Sequence, residues 1–138
     1  MDVLYTAEAT AWGGREGRVA SSDGVVDVQL AIPKEMGGPG GEKTNPEQLF
    51  AAGYAACFHS ALKLIAARDK LDVSESAITA KVGFGSNGQG GFGLEVALQA
   101  ELPGLDADVA KALVAKAHEV CPYSNATRNN IEVTLEVV

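Results

Sequence analysis

The side chains in this sequence best suited to chemistry are two cysteines, Cys57 and Cys121, with Arg15 in the glycine-rich stretch GGREG and Glu47 at the head of an apolar run. Cys57 lies in AAGYAACFHSAL, residues 51–62, where only Gly53, His59 and Ser60 are not apolar or small side chains. A thiol in such a run is either inert core packing or a nucleophile. The second reading needs a nearby cation or a helix N-terminus to stabilise the thiolate, and it needs access. Arg15 is a charge held in a turn whose backbone can approach another group closely; its plainer reading is a solvated loop arginine. Glu47 has an equally plain reading, a carboxylate favoured by the dipole of the helix it opens. The plain reading of both cysteines is buried core. They lack CxxC spacing, and with His59 and His118 the only histidines, a zinc site would have to use both pairs. That argues against a metal. His59 falls two residues past Cys57, roughly 200° round a helix, so it points away from the thiol and reads as structural.

Helix geometry constrains how these residues combine. Glu47 and Cys57 are ten positions apart, a rise of ~15 Å in unbroken helix. For both to meet one arginine the helix must bend or break between them, and Gly53 is the expected place. A break there would put Cys57 in the first turns of a fresh helix, where the dipole favours thiolate.

The elements that must position these groups follow from pattern and punctuation. Residues 3–12, RVASS and VVDVQLAI read as three antiparallel strands, the last two joined at Asp23-Gly24, a hairpin signal. PKEMGGPGGEKT is a long loop. A helix starts at TNPEQLF, with Asn45 as cap, Pro46 in the first helical position and Gln48 completing a capping box, and runs to about Lys70. Residues 77–84 and 91–102 read as two strands joined by SNGQG. A second helix, capped by Asp106, places Ala110, Leu113, Val114, Ala117 and Cys121 on one stripe and ends near Cys121, before Pro122. IEVTLEVV closes the chain as an alternating strand with Ile131, Val133, Leu135 and Val137 on one face. The order βββ-α-ββ-α-β, with strands grouped in hairpins, indicates an α+β fold, and 138 residues make a single domain, 1–138.

Composition narrows the function classes. With 46% hydrophobic and 21% charged residues the chain is ordinary for a globular protein. A net charge of −7 and the lack of a basic stripe argue against nucleic acid. The apolar stretch around residues 49–67 is interrupted by His59, Ser60 and Lys63, so no membrane span is expected. No signal peptide is visible, and the expected compartment is the cytoplasm, where thiols stay reduced. Two motifs mislead. Gly83–Gly88 matches GxGxxG, but more glycines and a strand follow it where a dinucleotide site needs a helix, so it reads as a hairpin loop. Asn125-Ala126-Thr127 fits the glycosylation pattern in a chain with no export signal.

TNPEQLFAAGYAACF together with CPYSNATRNN closely resembles the organic hydroperoxide resistance family of thiol peroxidases, within the wider OsmC-like superfamily. The resemblance extends along essentially the whole chain, including GGREG, the DG hairpin, GFGL and PGLD, and both cysteine motifs favour this branch over its OsmC sister. Departures are slight: Asn129-Asn130, where the family commonly has a glycine, and EKT before the helix. The resemblance implies that Cys57 is the peroxidatic and Cys121 the resolving cysteine, and that Arg15 and Glu47 hold the thiolate site. It also implies an intertwined homodimer, with antiparallel sheets wrapped around central helices and active sites at the subunit interface. Its electron donor would be the dihydrolipoyl group of a lipoylated protein, with no bound cofactor.

On that implication the Cys57 thiolate attacks the peroxide, and Cys121 condenses with the resulting sulfenic acid to a disulfide that a dithiol reduces. Phe50, Tyr54, Phe58 and Phe92 are candidates for an apolar pocket suited to alkyl or fatty-acyl hydroperoxides. Two other functions remain compatible with the residues: a thiol–disulfide oxidoreductase acting on proteins, and a non-catalytic, stress-related dimer with two core cysteines.

Overall fold

The Asp23-Gly24 turn forms where its residues require it. The Asp23 carboxylate accepts hydrogen bonds from the Ser21 hydroxyl at 2.6 Å and the Val25 backbone N–H at 3.0 Å, holding the connection tight. In the computed structural model, which describes residues 1–138, this turn belongs to the first of two compact units, Met1–Leu49 and Phe50–Val138.

The first unit is an antiparallel three-stranded sheet in the order β1 (Ala9–Trp12), β2 (Arg18–Ser21), β3 (Asp27–Gln29). Thr10 pairs with Ala20 and Val19 with Val28. The first strand is shorter than its β-rich sequence suggests: it begins only at Ala9, and Val3, Leu4 and Tyr5 stand exposed. Ala20, Leu30 and Ala31 are its buried apolar residues. The Gly- and Pro-rich loop contains one short 3-10 turn, Lys34–Met36, and returns through a parallel bridge between Leu30 and Thr44.

Helix α1 (Pro46–Arg68) starts at the end of this unit and continues into the second. Asn45 caps it, its Oδ1 accepting the Gln48 N–H at 2.8 Å. The reciprocal half of the expected capping box is absent, because the Gln48 side chain is engaged by the Thr44 hydroxyl at 2.9 Å. The expected break at Gly53 is also absent: α1 runs unbroken through it. Gly53 is needed for another reason. A Cβ there would stand 3.0 Å from the Tyr123 hydroxyl oxygen and 3.2 Å from its ring, so the glycine makes room for an aromatic side chain packed on the helix.

The second unit sets helices against one face of a three-stranded sheet in the order β4 (Ala77–Ser86), β5 (Phe92–Glu101), β6 (Val133–Val137). β4 and β5 form an antiparallel hairpin closed over Asn87, whose N–H bonds the Gly91 carbonyl at 3.1 Å, so the GxGxxG stretch is a hairpin end. β6 pairs with β5 in parallel, correcting the expectation of purely antiparallel sheets. Alternation of side chains specifies a strand's face but not its direction, and the helical connection between β5 and β6 is long enough for a parallel crossover. That connection holds α2 (Ala107–Val120) and a further helix, α3 (Pro122–Thr127), that the sequence pattern did not suggest. Asp106 stands at the N-cap of α2 but makes no side-chain capping bond.

The core of this unit is continuous. Tyr54, Phe58, Leu62 and Ala66 of α1 meet Val96, Leu98 and Ala100 of β5 and Leu113, Val114 and Ala117 of α2, all buried. α1 is long and apolar enough to cross a membrane by length and composition, but this buried face makes it a core helix.

Candidate active site

Arg15 and Glu47 meet within the first unit. Arg15 sits in a 3-10 turn, Gly14–Glu16, between β1 and β2. The turn depends on Gly17, where a Cβ would lie 1.6 Å from the Trp12 carbonyl oxygen. Glu47 stands in the first turn of α1. The two form a bidentate fork, Nη1 to Oε2 at 2.8 Å and Nη2 to Oε1 at 2.5 Å, with 32% of the arginine side chain and 14% of the glutamate side chain exposed. These hydrogen bonds hold the Glu47 carboxyl below the usual carboxylate range and raise the guanidinium further above neutrality. Arg15 is therefore a permanently charged group held in one orientation.

Cys57 and Cys121 meet within the second unit. Both are free thiols, Cys121 fully buried and Cys57 partly exposed, and the Cys121 Sγ donates toward the Cys57 Sγ at 3.6 Å. Three helices bring them together. Cys57 projects from α1, and Cys121 occupies the corner between α2 and α3, with an extended backbone (φ −63°, ψ 124°) that Pro122 enforces. Because α1 is unbroken, Cys57 lies about three turns inside it, beyond reach of the dipole effect expected from a fresh helix start. Burial pushes its thiol up from the ordinary value, the backbone N–H of Tyr123 pulls it down, and the neighbouring Cys121 raises it again. Within its own unit, then, the Cys57 thiol stands 3.6 Å from a second thiol, in surroundings whose net effect favours its neutral form.

The four aromatic candidates separate. Phe50 lines an apolar pocket of about 380 Å³ together with Leu94, Tyr123, Ala126 and Ile131. Tyr54 and Phe58 are fully enclosed in the core, the first with its hydroxyl bonded to Ser124 and Thr127. Phe92 is exposed and stacks on Phe84 at 5.0 Å, at the far end of the β4–β5 hairpin. His59 bonds Ser76 at 2.9 Å, away from the thiol. No group of His, Cys, Asp or Glu is arranged to hold a metal ion.

The sequence reading missed Tyr123, whose N–H faces the Cys57 sulfur and whose ring packs on both Tyr54 and Phe50. It also missed the buried hydroxyls of Ser124 and Thr127. Their spacing of three, just after a proline that suits a helix start, was the available signal.

The relatives of this chain agree with this arrangement of elements. Residues 38–136 match the family described as OsmC-like protein. An organic hydroperoxide resistance protein of Xanthomonas axonopodis pv. citri is 60% identical over 96% of this chain and 94% of its own length. Organic hydroperoxide resistance protein OhrA of Bacillus subtilis is 51% identical over 97% and 96%. A crystal structure of an organic hydroperoxide resistance protein from Elizabethkingia anophelis, with thiocyanate bound, superposes with a TM-score of 0.94 at 54% identity, covering 99% of this chain and 98% of that one. By family match, near-full-length identity and shared fold, this chain belongs to the OsmC-like family, in the branch of the organic hydroperoxide resistance proteins.

Proposed function

We propose that the protein is a thiol peroxidase that reduces organic hydroperoxides to alcohols. The observation that carries the reading is the pair of free thiols, 64 positions apart in sequence, with sulfurs 3.6 Å apart and one of them open to solvent. The Cys57 thiolate attacks the outer peroxide oxygen. The O–O bond breaks, the alkoxide leaves and is protonated to the alcohol, and Cys57 becomes a sulfenic acid. The Cys121 sulfur then displaces hydroxide from Cys57, and the thiol proton leaves with it as water. An external dithiol reduces the Cys57–Cys121 disulfide and returns both thiols. Each cycle consumes one hydroperoxide and one dithiol.

Arg15 is the cation proposed to favour the thiolate and to bind the peroxide, with Glu47 aiming it. In support, the surroundings of Cys57 in its own unit push the thiol toward neutrality, so a nucleophile there needs a positive charge from elsewhere. The fork with Glu47 keeps one oriented. The apolar pocket beside Tyr123 suits an alkyl or acyl chain better than hydrogen peroxide. A dihydrolipoyl-type dithiol of a lipoylated protein is proposed as the reductant, on the family resemblance. A homodimer in the cytoplasm is proposed as the working form. Exposed Leu4, Tyr5 and Trp12 in the first unit and exposed Leu64 on α1 support an apolar interface.

Steady-state turnover of cumene hydroperoxide and hydrogen peroxide, each with dihydrolipoamide or reduced thioredoxin, tests the reading. The expected result is turnover with the organic substrate and dihydrolipoamide, at least tenfold faster than any other combination. Disulfide exchange without peroxide consumption would replace it with a protein oxidoreductase. A monomer in light scattering at micromolar concentration would remove the dimer.

A further inference from the structure

The two buried polar residues of the chain, Ser124 and Thr127, follow shortly after Cys121 in sequence and are joined into one hydrogen-bonded chain. The Tyr54 hydroxyl is 2.8 Å from the Ser124 hydroxyl and 3.0 Å from that of Thr127. Ser124 Oγ is also 2.8 Å from His118 Nδ1, and the Thr127 hydroxyl donates to the Ser124 carbonyl at 3.3 Å. Each hydroxyl has one proton to give. Thr127 gives its proton to the carbonyl, so it must accept from Tyr54. Tyr54 must then accept from Ser124, and Ser124 from His118. The chain has one direction, and it holds His118 with a proton on Nδ1. No buried side-chain polar atom is left without a partner.

Tyr54 lies three residues before Cys57 on α1, His118 three before Cys121 on α2, and Ser124 three after Cys121 on α3. Each cysteine is thus about one helical turn from a member of the network, and the network ties together the three helices that bring the sulfurs to 3.6 Å. Arg128 reinforces the corner, donating to the His118 carbonyl and, at 2.8 Å, to Asn125 Oδ1. A disulfide requires the sulfurs to close to ~2.05 Å. How fast they do so depends on how well the α2–α3 corner is held over α1.

We propose that the His118–Ser124–Tyr54–Thr127 chain is a positioning clamp for the resolving step: it holds Cys121 over Cys57 and sets the rate of disulfide formation without touching the peroxide. The proposal rests on the peroxidase reading above. In the step it governs, the Cys121 S–H bond and the Cys57 S–O bond break, the S–S bond forms, and water leaves; the oxidant is the hydroperoxide already consumed. His118 and Ser124 are positioning residues.

The test uses the full chain and its Ser124→Ala, His118→Leu and His118→Asn variants, the last keeping an N–H where Nδ1 stands. Each reduced protein is mixed with one equivalent of tert-butyl hydroperoxide in the presence of dimedone, and Cys57 is mapped as dimedone adduct or Cys57–Cys121 disulfide. The rate of peroxide loss is expected to stay within about twofold of the parent. The adduct-to-disulfide ratio is expected to rise tenfold or more in Ser124→Ala and His118→Leu, and to return most of the way in His118→Asn. An unchanged ratio in the first two overturns the clamp, as does a His118→Asn that behaves like His118→Leu. In the same proteins, equilibration with oxidised and reduced dithiothreitol reads the pair's effective concentration without peroxide. A tenfold fall in Ser124→Ala and His118→Leu supports the clamp even if the parent consumes no peroxide; parent-like values overturn it. Failure of the parent to consume peroxide overturns the peroxidase reading alone.

Discussion

Replacing Arg15 and Glu47 singly and together measures whether their fork is a structural pair or a solvated contact. A hydrogen bond to a charged group contributes about 1.5–3 kcal/mol when shielded, and an exposed ion pair ~0.2–1 kcal/mol. Here two charge-assisted bonds share one pair of side chains that remain 32% and 14% exposed, so the fork falls between those limits. We expect a coupling of about 1–2 kcal/mol from urea melts of parent, Arg15→Ala, Glu47→Ala and the double variant at one protein concentration. Arg15→Ala leaves the less exposed partner, the Glu47 carboxylate, unpaired, but the N-terminus of α1 offsets ~0.3–1 kcal/mol of that cost. The two single variants should therefore lose similar stability. The sign with pH follows from Glu47, whose folded pKa lies below its unfolded one. The coupling is complete above the ordinary glutamate value of ~4.3 and is lost as pH falls through the lower folded value. Arg15→Lys should keep less than half of it, because an ammonium cannot make the planar fork. If Arg15 also acts on the thiol, the midpoint of Cys57 alkylation in Arg15→Ala will shift to higher pH, and peroxide turnover will fall by orders of magnitude while the fold survives. A coupling below about 0.3 kcal/mol in low salt would refute the structural reasoning. An unmoved alkylation midpoint would refute the chemical role.

Three other outcomes can be checked with single variants or a pH series. In Cys121→Ser, excess alkyl hydroperoxide should carry Cys57 on to sulfinic acid, a mass gain of two oxygens, because nothing traps the sulfenic form; a parent protein whose Cys57 overoxidises just as readily would count against Cys121 as the resolving group. Burial is the main force holding His59 and His118 below the ordinary histidine value, with Lys63 adding to it for the first and Arg128 for the second. The unfolded chain therefore binds more protons, and stability should fall as pH drops from about 6.5 through the lower folded values; a melting temperature flat between pH 7.5 and 5.5 would contradict this. Gly53→Ala gains ~1 kcal/mol of helix propensity but drives a methyl to 3.0 Å from the Tyr123 hydroxyl. Overpacking costs about 1–3 kcal/mol, so the variant should show no net stabilisation; the full propensity gain would mean Tyr123 does not hold its place.

Much of the local structure was legible because it is decided locally. Asn45 before Pro46 specifies a helix start whatever surrounds it, and the Asp23-Gly24 turn and the glycines after Ser86 specify hairpin ends. The stripe Ala110, Leu113, Val114, Ala117 reads as an inward face because the 3.6-residue period survives into the buried pattern. Gly53 was misread because its reason is not local. As backbone it is a helix weakness, while its use is to admit Tyr123, which arrives from 70 residues away. Pro122 was read only as a stop, although the same missing N–H that ends α2 suits the first position of α3. The direction of β6 was hidden because alternation is the same in either sense. In the site, the residue types at Cys57, Cys121, Arg15 and Glu47 named the candidates. The meeting of Cys57 with Cys121, and the upward push on its thiol, depend on packing from three helices that no single stretch encodes.

The proposed mechanism makes Cys57 and Cys121 one two-electron unit toward an organic hydroperoxide. Its most direct measurement is a titration of the reduced, full-length protein with cumene hydroperoxide, counting free thiols and alcohol product and mapping the oxidised peptides at each point. One equivalent of peroxide should yield one equivalent of alcohol, remove both thiols of each chain, and leave a single Cys57–Cys121 disulfide that dihydrolipoamide reverses. Thiols that survive the peroxide and react only after unfolding would contradict it, and would return both cysteines to the core as packing.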